Sequence, residues 1–207
     1  MHAAASRLPR AGAACVLDLA ALCAVADAAY AQAPTSAGQT TAATSDLVAG
    51  GSAWRSALPG AQRVATTRLT VWGFQVYDAT LWITEGFRPD RWVQRPFALE
   101  LSYLRDFDGA DIAKRSLDEM RRSAPIPAEQ AARWLQAMQA TFPDVKKGDR
   151  LVGVHAPGSG ARFFLNGATV GEVRDAAFAE RFFAIWLGAQ TSEPAMRDAL
   201  LAPLAVR

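Results

Sequence analysis

Hydrophobic positions along the chain alternate between two spacings, and the switches between them mark out the elements. From about residue 61 to 104 the spacing is two, which predicts strands over 61–72, 74–84 and 96–104. The second of these, within LTVWGFQVYDATLWI (69–83), is rich in the aromatic and β-branched residues that suit a pleated surface. An unbroken strand of that length would be unusual, so Gly73 is expected at a bulge or tight turn. Both alternating faces of the segment are largely apolar, yet it carries Gln75, Tyr77 and Asp78. On this pattern Asp78 is expected to end the strand and Tyr77 to pack, the alternative being that Gln75, Tyr77 or Asp78 borders a cleft between covering layers.

Helical spacing takes over at 109–122, where Ile112, Ser116, Leu117 and Met120 share a stripe behind a capping Asp108. A second helix starts with Pro127 in its first turn, aligns Ala131, Trp134, Leu135, Met138 and Phe142, and stops before Pro143. From Asp149 period two returns in RLVGVHAP, ARFFL and TVGEV, separated by a GSG turn and by Asn166-Gly167, which predicts a three-strand antiparallel meander. Asp175 then caps a helix bearing Phe178, Phe182, Ile185 and Trp186 and closed by Gly188, and Ser192 caps a short last helix with Met196 and Leu200. The predicted class is α+β, one antiparallel sheet covered by helices.

The N-terminus changes the picture of where this domain works. Arg7 and Arg10 precede an Ala/Leu/Val-rich run from Ala11 to Ala26, and Ala29-Tyr30-Ala31 follows as an A-x-A site. That is the layout of a secretory signal peptide over 1–31, cleaved near Ala31, although Asp18 and Asp27 weaken its apolar region. The expected location is therefore the periplasm or the exterior. Residues 32–49 carry almost no large apolar side chain and read as a flexible linker, leaving 50–207 as one domain. Cys15 and Cys23 go with the signal, so the mature chain is expected to have no thiol chemistry and no disulfide.

A net charge of +2 argues against nucleic acid, which needs a dense basic stripe. No stretch of the mature chain is apolar for the ~20 residues that span a bilayer. The mature chain holds a single histidine, His155, within a strand and with no G-x-S-x-G elbow elsewhere, so neither a triad nor a metal site is signalled. DFDGAD (106–111) lacks calcium-loop spacing, because Gly109 falls three residues after Asp106, and reads as a turn and helix cap. No cofactor is expected. What remains is apolar wall with isolated polar groups, the composition both of a hydrophobic-ligand pocket and of any core.

The order of segments LTVWGFQVYDATLWI, PFALELSYLRDFDGADIAKRSLDEM, ATFPDVKKGDRLVGVHAPGSGARFFLNG and FFAIWLG followed by TSEP resembles the bacterial chalcone isomerase-like family over about 55–203. The resemblance implies an open-faced β-sandwich, in which a large antiparallel sheet is packed by a layer of helices with a cleft between them. It also implies one of two kinds of activity, chalcone cyclisation or non-catalytic binding of fatty acids. In the enzymes an arginine favours the attacking phenolate and a tyrosine donates to the developing enolate, which suits a protein without nucleophiles. Carried over without gaps from Phe74, the arginine falls on Arg63; a register shift favours Arg68. The tyrosine's position carries Ile112, and other polar positions of the family fall on Gln75, Glu119 and Ile185. The resemblance thus implies a non-catalytic binder of a small apolar or fatty-acid-like molecule, with Arg63, Arg68, Gln75, Tyr77 and Tyr103 as ligand-binding candidates. The alternatives are an isomerase acting on a phenolic enone, or an accessory protein whose Trp54, Trp82 or Trp92 meets a partner.

Overall fold

A computed structural model describes residues 53–205, so the expected signal peptide and the whole of the linker lie outside the described residues. The elements run α1 (Ala53–Ala57), β1 (Gln62–Val71), β2 (Phe74–Ile83), a 3-10 segment (Pro89–Gln94), β3 (Phe97–Tyr103), α2 (Gly109–Ser123), α3 (Ala128–Thr141), β4 (Arg150–Ala156), β5 (Gly160–Leu165), β6 (Ala168–Val173), α4 (Ala176–Leu187), α5 (Pro194–Leu201) and a final 3-10 turn (Ala202–Leu204). The six strands form one antiparallel sheet in the order β1-β2-β3-β4-β5-β6. No helix among the described residues is long and apolar enough to cross a membrane.

Two hairpins close on two-residue turns with both central residues at positive φ, Trp72-Gly73 (48° and 82°) and Asn166-Gly167 (50° and 89°). Glycine in the second place and left-handed backbone in both match the right-handed strand twist. The first turn explains how 69–83 is split. Its cost falls on Trp72, a bulky residue held at positive φ, which stands exposed beside exposed Phe74.

One face of the sheet carries Leu81, Phe97, Leu99, Leu101, Leu151 and Phe163 into the main core, where the apolar stripes of α2 to α5 meet them. The predicted stripes are buried as their spacing requires: Leu117 and Met120, Trp134 and Met138, Phe178 and Phe182, Met196 and Leu200. The other face holds a smaller core in which Trp54 and Leu58 cover Ala98, Val152, Val154 and Phe164. This is why 69–83 is apolar on both sides: Leu81 looks to the helices and Trp82 to α1.

The caps differ in detail. Asp175 accepts from the Phe178 amide as expected, at 3.0 Å. Asp108 sits at the N-cap of α2 without a side-chain bond; Asp144 instead accepts from the Gly109 amide at 2.9 Å. Ser192 stands one residue too early, since α5 begins at Pro194 after Glu193.

Candidate functional site

Between the sheet and α4 runs a seam in which Leu101, Gly153 and Phe163 face Phe182, Phe183 and Trp186. The aromatic rings interlock, Phe163 on Phe182 at 5.3 Å and Phe182 on Trp186 at 5.5 Å between centroids. Gly153 makes room for this: a Cβ there would stand 3.2 Å from two ring carbons of Phe183. A void of about 10 Å³ is left, enough for a single water at most.

Polar groups gather at one end of the seam. Tyr77 and Tyr103 are direct cross-strand partners on β2 and β3, with rings edge to face at 6.1 Å. The Trp186 indole N–H donates to the Tyr77 hydroxyl at 3.0 Å, a bond that joins α4 to β2. Among the described residues no side chain accepts the Tyr77 proton in return. Burial pushes both phenols well above the usual tyrosine range; the Trp186 bond partly opposes this at Tyr77. Both therefore stay protonated donors at neutral pH. Glu119 of α2 is largely buried and clamped by Arg115 at 2.6 Å and Arg122 at 3.5 Å.

The candidate arginines are not in this group. Arg68 pairs with Asp78 across β1 and β2, its Nε and Nη2 reaching the two carboxylate oxygens at 2.6 and 2.8 Å. Its Nη1 donates to Gln75 at 2.9 Å, so Gln75 joins this exposed trio and stands apart from the tyrosines. The bidentate bond holds Asp78 below the usual carboxylate range. Tyr77 and Ala79, either side of Asp78, point into the main core, so the trio lies on the opposite face of the sheet. Arg63 is also exposed and pairs with Trp82 on that same face. Both guanidiniums thus stand on the face of the sheet opposite the seam.

Two bulges put Arg63 and Gln75 on that face. Arg63 pairs with Trp82 and Ala65 with Leu81, leaving Val64 extra; Leu69 pairs with Tyr77 and Thr70 with Gln75, leaving Val76 extra. Each extra residue reverses the alternation beyond it, turning Arg63 and Gln75 to the outer face. Trp54 is buried and packs on Trp82 at 5.2 Å, while Trp92 leans on Phe97 at 5.9 Å. Ile112 and Ile185 pack against the main core, so neither brings a hydroxyl to the seam. His155 is buried and stacked on Phe97 at 4.9 Å. The sequence shows Trp186 only as part of a helical stripe, and nothing local points to a bond with a residue 109 positions away. Gly153 did carry a signal, since glycine inside a strand marks a close approach.

The model of the family described as chalcone isomerase-like matches residues 64–202. A Haemophilus influenzae protein, itself uncharacterized, is 30% identical over 131 residues, which is 63% of this chain and 63% of that one. The chain thus matches somewhat under two thirds of that relative's length. Among solved structures, a fatty-acid binding protein of Arabidopsis thaliana superposes with a TM-score of 0.54 at 9% identity, covering 72% of this chain and 92% of the other. At that identity the likeness establishes the fold, a sheet packed on one face by helices.

Proposed function

Since the chain belongs to the chalcone isomerase-like family, we propose that it is a non-catalytic binding protein for a small apolar molecule with one polar end, of the fatty-acid type. The tail lies in the seam under α4 and the polar end meets Tyr77 and Tyr103. The observation that carries this reading is the Tyr77 hydroxyl: half-buried, held by Trp186 as an acceptor, and left with a proton to donate at the end of an otherwise apolar seam. A carboxyl or hydroxyl oxygen is the natural acceptor for that proton. The fatty-acid binding neighbour supports the ligand class.

The seam is filled when empty of ligand, so binding requires the rings of Phe182 and Trp186 to turn aside. Cyclisation of a phenolic enone would need a cation beside the phenolate and a donor at the enolate. Arg63 and Arg68 lie on the other face and Ile112 packs into the core, which favours binding over catalysis. Release into the periplasm by cleavage near Ala31 belongs to the same proposal, supported by Arg7, Arg10 and the apolar run that follows. N-terminal sequencing of the exported fraction checks that part.

Native mass spectrometry of protein purified without detergent tests the ligand. The expected spectrum shows a bound species of fatty-acid mass, or saturable uptake of added medium-chain acids, weakened about tenfold in Tyr77→Phe. Only bare protein, with no uptake of added acid, would overturn the proposal.

A further inference from the structure

A second concavity is built by a different part of the chain. The connection from β2 to β3 turns at Gly86, φ 75°, where the Phe87 amide donates to the Thr84 carbonyl at 3.3 Å. It is pinned from inside by aromatics: Phe87 is buried edge-on against Phe97 at 5.7 Å, and Trp92 packs on Phe97 and on His155. With the apolar side chains turned inward, Arg88, Arg91, Gln94 and Arg95 line a concavity of about 350 Å³ together with Gly86. That volume is in the range of small-molecule sites, whereas the seam under α4 holds about 10 Å³.

Its charge is unbalanced. Asp90 is shared by two of the arginines, with Arg88 Nε at 3.2 Å and Arg91 Nε at 3.7 Å. Arg95 has no carboxylate at ion-pair distance among the described residues, and neighbouring Glu85 is exposed and pairs with none of the three. Three arginines therefore line one concavity against a single paired carboxylate.

Arg95 is also held in place from two sides. Its guanidinium lies on the backbone of Gly86, where a Cβ would come within 2.6 Å of Nη2 and 3.2 Å of Cζ. Glycine is favoured there by its left-handed φ, and its missing side chain leaves room for the guanidinium. From behind, buried His155 donates from Nδ1 to the Arg95 carbonyl at 3.3 Å. A carbonyl only accepts, so the neutral ring carries its proton on that nitrogen. The mature chain's single histidine is thereby a positioning residue for Arg95.

The geometry points to an anion site that takes a phosphate-type dianion, whether free or as the headgroup of an acidic lipid. A phosphate monoester offers three acceptor oxygens to three planar forks, whereas a monocarboxylate would occupy one fork and leave two charges facing each other. None of the residues involved takes part in the seam under α4, so failure of that reading leaves this one standing.

Calorimetric titration of the purified chain with inorganic phosphate is the test, with phosphatidic acid vesicles against phosphatidylcholine vesicles as a second arm. The expected result is saturable one-to-one binding that Arg95→Gln or Arg88→Gln weakens about tenfold each, as loss of a charged hydrogen bond implies. Arg133→Gln, an exposed arginine of α3, should leave it unchanged, and Asp90→Asn should strengthen it. Binding of free phosphate identifies a soluble ligand; Arg95-dependent binding of phosphatidic acid vesicles alone identifies a headgroup. Arg88 is exposed, so Arg88→Gln reports on charge even if Arg95→Gln disturbs the turn. Absence of saturable binding in both arms, or an equal loss in Arg133→Gln, would overturn the assignment.

Discussion

Replacing Tyr77 by Phe removes one oxygen and keeps every ring contact, so it isolates the bond that ties α4 to the sheet. The Trp186 N–H would lose its acceptor at 3.0 Å while its side chain stays buried at 7% exposure. Stranding a buried donor costs about 1–3 kcal/mol, and no longer burying the phenol hydroxyl returns part of that, so the net loss is about 1–2 kcal/mol. In a domain of this size that lowers the melting temperature by roughly 2–8 °C. Urea unfolding followed by circular dichroism measures it without relying on tryptophan. Trp186→Phe provides the second edge of a double-mutant cycle, in which the two changes should couple by about 1 kcal/mol. In ligand titrations Tyr77→Phe should weaken a medium-chain acid about tenfold, the worth of one good hydrogen bond to a charged group, yet leave the matching hydrocarbon unaffected. Additive effects on stability, or equal losses for acid and hydrocarbon, would refute the role given to this hydroxyl.

Gly153→Ala puts a methyl 3.2 Å from the Phe183 ring and should abolish uptake of apolar ligand in the same titration while the far-ultraviolet spectrum stays native. Arg68→Ala breaks an ion pair on the outer face, so ligand affinity should not move; a large loss of affinity would return that arginine to the site. His155 titrates below its ordinary value because it is buried, so the unfolded chain takes up a proton the folded chain refuses. Stability is therefore full above about pH 7 and falls as pH drops through the ordinary histidine value near 6.5, a slope that urea midpoints should show and His155→Gln should flatten. Asp78, Asp90 and Asp106, whose acidities are raised by their partners, add a loss only at lower pH, below the ordinary carboxylate range near 4.

Much of this architecture was legible because burial imposes a period. The stripes Trp134–Met138 and Phe178–Phe182 and the alternation in β4 and β5 follow from one covered face, and Asn166-Gly167 fixes its hairpin by backbone chemistry. What the pattern could not show was parity across the bulges at Val64 and Val76, because an extra residue leaves composition unchanged while reversing every side chain beyond it. The faces of Arg63 and Gln75 depend on those bulges, whereas Tyr77 and Tyr103 are opposed in the β2–β3 ladder, which runs without a shift. The five-residue helix α1 is too short to display a period, so the second core under Trp54 had no sequence signature. Arg88, Arg91 and Arg95 follow one another at helix-like spacing, but the concavity they line depends on the turn at Gly86 and the buried aromatics beneath it.

Whether a ligand truly lies beneath α4 is answered most directly by photocrosslinking with a medium-chain fatty acid that carries a diazirine, followed by peptide mapping. Adducts should fall on Phe182 and Trp186 of α4 and on Tyr77 or Tyr103, and excess unlabelled acid should remove them. Adducts confined to exposed Trp72 and Phe74 or to the arginine-lined turn, or labelling that unlabelled acid does not displace, would contradict binding in the seam.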